Sequence, residues 1–283
     1  MRFIGLDLAW SVRNNSAASV LETSGGEGAV LVHYRERLQS DKEILEYIAS
    51  TVTASKGACV AIDAPLIVRN KTGARPVDRE ITSRFGRYGA GAHPCNRRKF
   101  PQGVRGERLV KELCGAKYGF EHKPFIRHLT RKIPTKTVFE VYPHPAQVVL
   151  FGLEKRILYK KGGVDTRRKG LKTLQEKIKT HLLFPQKGPP ATKGRSGRQP
   201  CLSRPVPHIK RNQPLKRLLS RDTDTLKGAE LKSYEDTLDS LICAYIGLYH
   251  WYWGEEKSEV VGDMNSGYIV LPRDTALSSN VTA

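Results

Sequence analysis

Cysteine, acid and long apolar runs are all scarce in this chain, and each scarcity removes a class of protein. The five cysteines, Cys59, Cys95, Cys114, Cys201 and Cys243, are odd in number and include no C-x-x-C pair. Neither a disulfide framework nor a zinc ribbon is indicated. His93-Pro94-Cys95 lacks a second ligand pair at zinc spacing, and Cys59 and Cys243 lie in apolar segments and read as small core residues. No apolar run approaches the roughly 20 residues of a membrane-spanning helix. Arg2 is followed directly by a strand pattern rather than by a signal-peptide core. A soluble, cytoplasmic protein with no membrane partner is therefore expected. The shortage of acid is marked: 28 Asp and Glu stand against 48 Lys and Arg, a formal charge of +20. Such a balance attracts anions and favours nucleic acid as a partner, with membrane surfaces as the competing one.

What is present suffices for a core. At 283 residues and 39% apolar content, the chain reads as one α/β domain over 1–283, not as a disordered segment. From Met1 to about Arg35 three short strands form a meander, with Asn14-Asn15 and Gly25-Gly26 as turns. Ser40-Asp41-Lys42-Glu43 is a capping box, and Ile44, Leu45, Ile48 and Val52 fall at helical spacing, predicting a helix to about Ser55. The apolar run at Cys59 then returns beside the first strand, which brings Asp7 and Asp63 together.

Residues 67–135 read as a basic, irregular insertion with short helices near Asp78 to Phe85 and Arg105 to Tyr118. Thr137 to Tyr142 predicts another strand, Pro143 the start of a short helix, and Asp165 to Leu183 a longer one. No acid occurs between Glu176 and Asp222, and proline, glycine and basic residues dominate. Residues 185–221 therefore read as a flexible basic loop, either a solvating linker or a nucleic-acid-binding arm. Tyr234 to Trp253 is a long helix, and Gly267 to Pro272 a final short strand.

The carboxylates stand out against this background. Phe3-Ile4-Gly5-Leu6-Asp7, Cys59-Val60-Ala61-Ile62-Asp63 and Val138-Phe139-Glu140-Val141-Tyr142 each carry an acid at or near a strand end, and Asp236 and Asp239 open the long helix. An ionised carboxylate in apolar sequence needs a partner or a metal. Repeated placement suggests one shared cation site, and oxygen-only ligands suit Mg²⁺ or Mn²⁺. On the helix, Asp236 and Asp239 share a face with the small residues Ser240, Cys243 and Gly247, which permits close approach to a sheet. Ordinary structural explanations stand beside this. The helix dipole favours Asp236 in a first turn, Asp7 and Asp63 suit turns, and Glu140 suits a neighbouring Arg.

Gly5-Leu6-Asp7-Leu8-Ala9-Trp10, Ala61-Ile62-Asp63-Ala64-Pro65-Leu66, Phe139-Glu140-Val141-Tyr142-Pro143 and Asp236-Thr237-Leu238-Asp239-Ser240-Leu241-Ile242-Cys243-Ala244 resemble, in order and type, the domain-of-unknown-function 429 family. That family is predicted to consist of RNase H-like nucleases. The final D-x-x-D helix is also similar to that of RuvC-type Holliday junction resolvases. The resemblance implies an RNase H-like mixed five-stranded sheet flanked by helices, carrying the basic insertion. Asp7, Asp63, Asp236 and Asp239 would be its metal ligands, and Glu140 belongs to the family's Glu-x-Tyr-Pro motif. It further implies two cations about 3.5 to 4 Å apart around the scissile phosphate, bridged by Asp7. Arg69, Arg75, Arg79 and Arg84 would then meet phosphates. Arg97 and Arg98, with Arg87 and Lys99, interleave with Tyr88, His93 and Phe100 in a mixture suited to nucleic acid.

The expected function is a metal-dependent nuclease acting on DNA or RNA. One rival is an ATP-dependent phosphotransferase of the actin-like or sugar kinase fold. Against it, Asp7-Leu8-Ala9-Trp10 lacks the glycine-rich turn that admits ATP phosphates. The other rival is a non-catalytic nucleic-acid-binding protein, whose binding would depend on salt but not on metal.

Overall fold

The meander of the first forty residues forms as expected. In the computed structural model, which describes residues 1–24, 27–52, 57–124, 136–183 and 207–273, β1 (Arg2–Asp7), β2 (Ser16–Glu22) and β3 (Gly28–Leu38) pair antiparallel. Gly25 and Gly26, read as the second turn, lie outside the described residues. Helix α1 (Asp41–Val52) starts at the anticipated capping box. Glu43 N–H donates to Ser40 Oγ at 3.1 Å, and Glu43 Oε2 accepts from Ser40 N–H at 3.2 Å. Two helix-start donors are thereby satisfied without water. β4 (Ala58–Asp63) then lies parallel to β1, with Asp7 directly opposite Asp63.

The rest of the chain runs through α2 (Pro76–Phe85), α3 (Arg105–Leu113), β5 (Glu121–His122), β6 (Lys136–Glu140), α4 (Pro143–Phe151) and α5 (Val164–His181). It continues through β7 (His208–Lys210), α6 (Gln213–Leu219), α7 (Gly228–Trp253), β8 (Ser258–Asp263) and β9 (Gly267–Pro272). The principal sheet has seven strands in the order β5-β6-β4-β1-β2-β3-β7, not five. The two additions are short edge strands, β5 of 2 residues and β7 of 3. They pair parallel to β6 and β3, and strands so brief carry too little alternation to be read from sequence. β8 and β9 form a separate antiparallel hairpin, joined to the main sheet by a parallel bridge from Val141 to Val270.

Two expectations about the middle of the chain need correction. The insertion at 67–135, read as basic and irregular, contributes to both cores. Val77, Ile81 and Phe85 of α2 enter one core, and Leu109, Val110 and Leu113 of α3 enter the other. Helix α3 stops at Leu113 and not Tyr118, because Gly119, at φ 66°, closes a turn onto Gly115. The segment read as a flexible loop over 185–221 contains β7 and α6. Asn212 caps α6 by accepting from Leu215 N–H at 3.2 Å, and Leu215, Leu218 and Leu219 are buried. A basic average hid this short amphipathic pattern. Residues 185–206 of that segment, and 125–135 of the insertion, lie outside the described residues.

The sheet is buried on both faces. Ile4, Leu6, Val60 and Ile62 pack with α1 and α3. Phe3, Cys59, Ala61 and Phe139 point the other way, into the core containing α7, α5 and α2. Each fully buried Leu, Ile or Phe contributes about 1.5–3 kcal/mol. Among the described residues no helix is long and apolar enough to cross a membrane.

Candidate metal centre

Strand parity positions the first two carboxylates. Side chains alternate along a strand, so Asp7 continues the row of Phe3 and Gly5, and Asp63 that of Cys59 and Ala61. Both therefore point to the α7 side at the carboxyl ends of parallel neighbours, where open α/β sheets place their ligand sites. Glu140 lies in register with Ile62, one residue out of phase with Asp63. It consequently faces away from them.

Helix α7 supplies the third acid because its small-residue face reaches the sheet. A Cβ on Gly5 would sit 2.0 Å from Ser240 O and 2.2 Å from Ala244 N, so only glycine permits this approach. Gly247 lies against Cys59 and Ala61, and the Ser19 and Ser240 hydroxyls hydrogen-bond at 2.7 Å. Asp239, fully buried on this face, is thereby carried to the strand ends. One carboxylate oxygen from each of Asp7, Asp63 and Asp239 lies within 4.8 Å of the others.

A lysine absent from the expected set lies among them. Lys160, in the connection between α4 and α5, places its ammonium 3.1 Å from Asp7 Oδ2 and 4.0 Å from Asp236 Oδ1. The same ammonium forms an ion pair with Asp239 Oδ2. Tyr159 O–H donates to Asp239 Oδ1 at 2.6 Å, and Gln147 Nε2 donates to the Tyr159 hydroxyl at 2.7 Å. Asp239 is thus fixed by two neighbours while its Oδ2, buried and without a well-formed hydrogen bond, is turned toward the ammonium. Asp236 lies at the rim, paired with Lys232.

The electrostatics reflect carboxylates crowded around one cation. Burial, and next the charge of Asp7, push the Asp63 carboxyl well above the usual range, with Lys160 opposing. Burial and then Asp7 raise Asp236 to about 7 against Lys160 and Lys232. For Lys160, burial alone would lower the pKa, but Asp239 and then Asp7 outweigh it and hold the ammonium charged. Burial, together with Lys160 and Arg156, drives His144 down to about 3. Its ring is neutral beside Tyr159, with Nδ1 3.2 Å from the phenol oxygen.

The structure does not bring Glu140 or Arg75 to this cluster. Arg75 chelates Glu140 through Nη1 and Nη2, at 3.0 and 2.7 Å, and also holds Asp78 at 2.9 Å. All three side chains are buried, and Leu66 N–H adds a bond to Glu140 Oε2 at 2.8 Å. Glu140 is therefore a fold-forming ion-pair residue, and Arg75 is not available to nucleic acid. Arg84 pairs with Glu259 at 2.5 Å and Arg97 with Glu107 at 2.9 Å. Arg69, Arg79 and Arg98 are exposed, Arg79 donating to Ala74 O at 2.7 Å. Phe100 is buried, which removes one expected stacking ring.

Lys160, Tyr159 and Gln147 went unread in the sequence. The first two sit in a stretch with no hydrophobic period, and the only available signal was Gln147, a lone amide among apolar residues of α4.

The family model described as "Protein of unknown function (DUF429)" matches residues 5–264. No curated protein and no solved structure matches the chain.

Proposed function

The chain belongs to the DUF429 family, proteins of unknown function, and we propose that it is an RNase H-like, metal-dependent nuclease that hydrolyses phosphodiester bonds of nucleic acid. The observation carrying this reading is the convergence of Asp7, Asp63 and Asp239, from three separate segments, on one centre occupied by an ammonium group. Meander, helix and parallel fourth strand, with acids on the first strand, the fourth strand and the last long helix, support the RNase H-like assignment.

The donor set fits a hard divalent cation. It is all carboxylate, it includes a buried oxygen aimed at the centre, and a lysine ammonium already marks the cation position. Asp7, Asp63 and Asp239 would hold Mg²⁺ or Mn²⁺, with Asp236 at the rim. When bound, the ion supplies an acidified water and positive charge for the phosphoryl oxygens. Tyr159 and Gln147 keep Asp239 in place, and burial of Asp239 limits competing water. Lys160 pairs with Asp7 and Asp239, and its ammonium would have to leave Asp239 Oδ2 for an ion to be held there. The +20 charge supplies long-range attraction for a polyanionic substrate.

Lys160 also favours a second reading. An ammonium that already offsets part of the carboxylate charge is compatible with a nucleic-acid-binding protein needing no metal. Cleavage of labelled single-stranded, duplex, hybrid and branched substrates, with Mg²⁺, Mn²⁺ or EDTA, separates the two. Metal-dependent cleavage by the wild type, abolished in Asp7→Asn/Asp239→Asn, is expected. Salt-sensitive binding without cleavage of any substrate establishes the second reading instead.

A further inference from the structure

Beside the carboxylate cluster, the loop between β1 and β2 exposes two large apolar side chains, Trp10 at 41% and Val12 at 48%. Exposure of this kind costs solvation and marks contact surface when it lines a groove. Here it does. Trp10 and Val12 form one wall of a cavity of about 300 Å³ whose other lining includes Arg13, Lys99, Phe100 and Arg108, with three cationic side chains and no acid.

Trp10 is also the link to the metal centre. It lies three residues beyond Asp7 and lines a second cavity, of about 60 Å³, that Asp63 also lines. The indole therefore borders both the cationic groove and a cavity reached by one carboxylate of the cluster, Asp63, alongside Arg75, Asp78 and Glu140. The indole is seated and not free to collapse. Its ring packs on Phe100 at 5.3 Å between centroids. Its loop is clamped by the buried Arg105, which donates to Ala9 O at 2.9 Å and Ser11 O at 3.3 Å while pairing with Asp41 at 2.6 Å. A rigid aromatic face next to cations is the combination by which proteins hold unpaired bases. The ring stacks on a base of any identity, and the cations meet the flanking phosphates. In a duplex the base faces are already covered by their neighbours, so stacking on one indole is available to an unpaired strand.

We propose that Trp10, backed by Phe100 and flanked by Arg13, Lys99 and Arg108, is a stacking subsite for a base of single-stranded nucleic acid entering the carboxylate centre. This deepens the nuclease reading and rests on it for the direction of the strand. It assigns an unpaired strand as the bound form.

Fluorescence anisotropy of fluorescein-labelled oligonucleotides of about 12 nucleotides, in EDTA, tests it without cleavage. Single-stranded DNA and RNA and the corresponding duplexes are titrated against the wild type, Trp10→Ala, Trp10→Phe and Lys99→Gln. Trp10→Ala is expected to weaken single-strand binding about tenfold, within the range for loss of one stacked base, and to leave duplex binding within about twofold. Trp10→Phe keeps a ring on Phe100 and is expected to retain most of the affinity, which separates stacking from misfolding. Lys99→Gln is expected to flatten the salt dependence by about 0.7 in log–log slope, the value for one phosphate on a single strand. Unchanged single-strand affinity in Trp10→Ala, or an equal loss for duplex and single strand, overturns the subsite. The nuclease reading is tested apart, by cleavage with Mn²⁺. If the wild type cleaves and Trp10→Ala binds normally, the subsite alone fails. If Trp10→Ala loses single-strand affinity and no protein cleaves, the subsite stands and the nuclease reading fails.

Discussion

At the scale of single residues, Lys160 decides what the acidic cluster is without a metal. Asp7, Asp63 and Asp239 would repel one another around an empty centre, and the ammonium offsets that repulsion. Removing one member of a largely buried ion-pair group leaves the others uncompensated and costs about 3–5 kcal/mol. Lys160 is 26% exposed, so the lower end of that range applies. Lys160→Met should therefore unfold more easily in EDTA, by about 3 kcal/mol in urea titrations. It should also gain more from Mn²⁺ than the wild type, since the ion no longer competes with an ammonium. Equal Mn²⁺-induced shifts in melting temperature for the two proteins would show that Lys160 and the ion do not share a position.

At the scale of elements, the site depends on how closely α7 approaches β1. The helix is 26 residues long, and between Leu231 and Trp251 all but Lys232 and Tyr249 are buried. Its depth in the sheet is set by Gly5. Gly5→Ala would place a methyl 2.0 Å from Ser240 O, a backbone atom that cannot rotate aside. Overpacking of this kind costs about 1–3 kcal/mol. Because helix and strand must separate, Asp239 should leave Asp7 and Asp63 as well. The expected result is a lower urea midpoint together with loss of Mn²⁺-induced stabilisation, whereas a purely local strain would spare the second. Elements with strong local signals were legible in the sequence. The Ser40 to Glu43 capping box, the strand pair carrying Asp7 and Asp63, and the small face of α7 all appear where their patterns indicated. Glu140 stayed open between the cation site and a neighbouring Arg because its side depends on strand phase and its partner, Arg75, lies 65 residues away. Lys160 was invisible because an irregular connection carries no period, and β7 and α6 were masked by a basic average around them.

At the scale of the whole molecule, the imbalance of 48 basic against 28 acidic residues draws in polyanions but also makes the folded state repel itself. Acid increases that repulsion, and one buried histidine adds a specific contribution. His250, near the end of α7, is 2% exposed. Its Nε2 lies 2.6 Å from Pro124 O and its Nδ1 2.8 Å from Ser258 Oγ, tying the helix to β8 and to the segment after β5. A neutral ring donates from Nε2 to the Pro124 carbonyl, while Nδ1 shares the single Ser258 hydroxyl proton with Leu271 O, 3.0 Å from that hydroxyl. Burial pushes its pKa down to about 4, with the Pro124 carbonyl opposing, against about 6.5 for an exposed histidine. Between these values the unfolded chain binds the proton and the native state does not. The contribution is therefore complete above about pH 6.5 and falls as pH drops toward 4, by up to about 3 kcal/mol. Asp236, raised to about 7, has the opposite slope, since its native form takes up a proton that the unfolded chain releases. Subtracting a variant cancels that term. His250→Asn should be less stable than the wild type at pH 8, and the difference between the two should shrink steadily from pH 6.5 to 4.5 in urea titrations in EDTA. A constant difference across that range would mean that the imidazole titrates alike in the folded and unfolded chains.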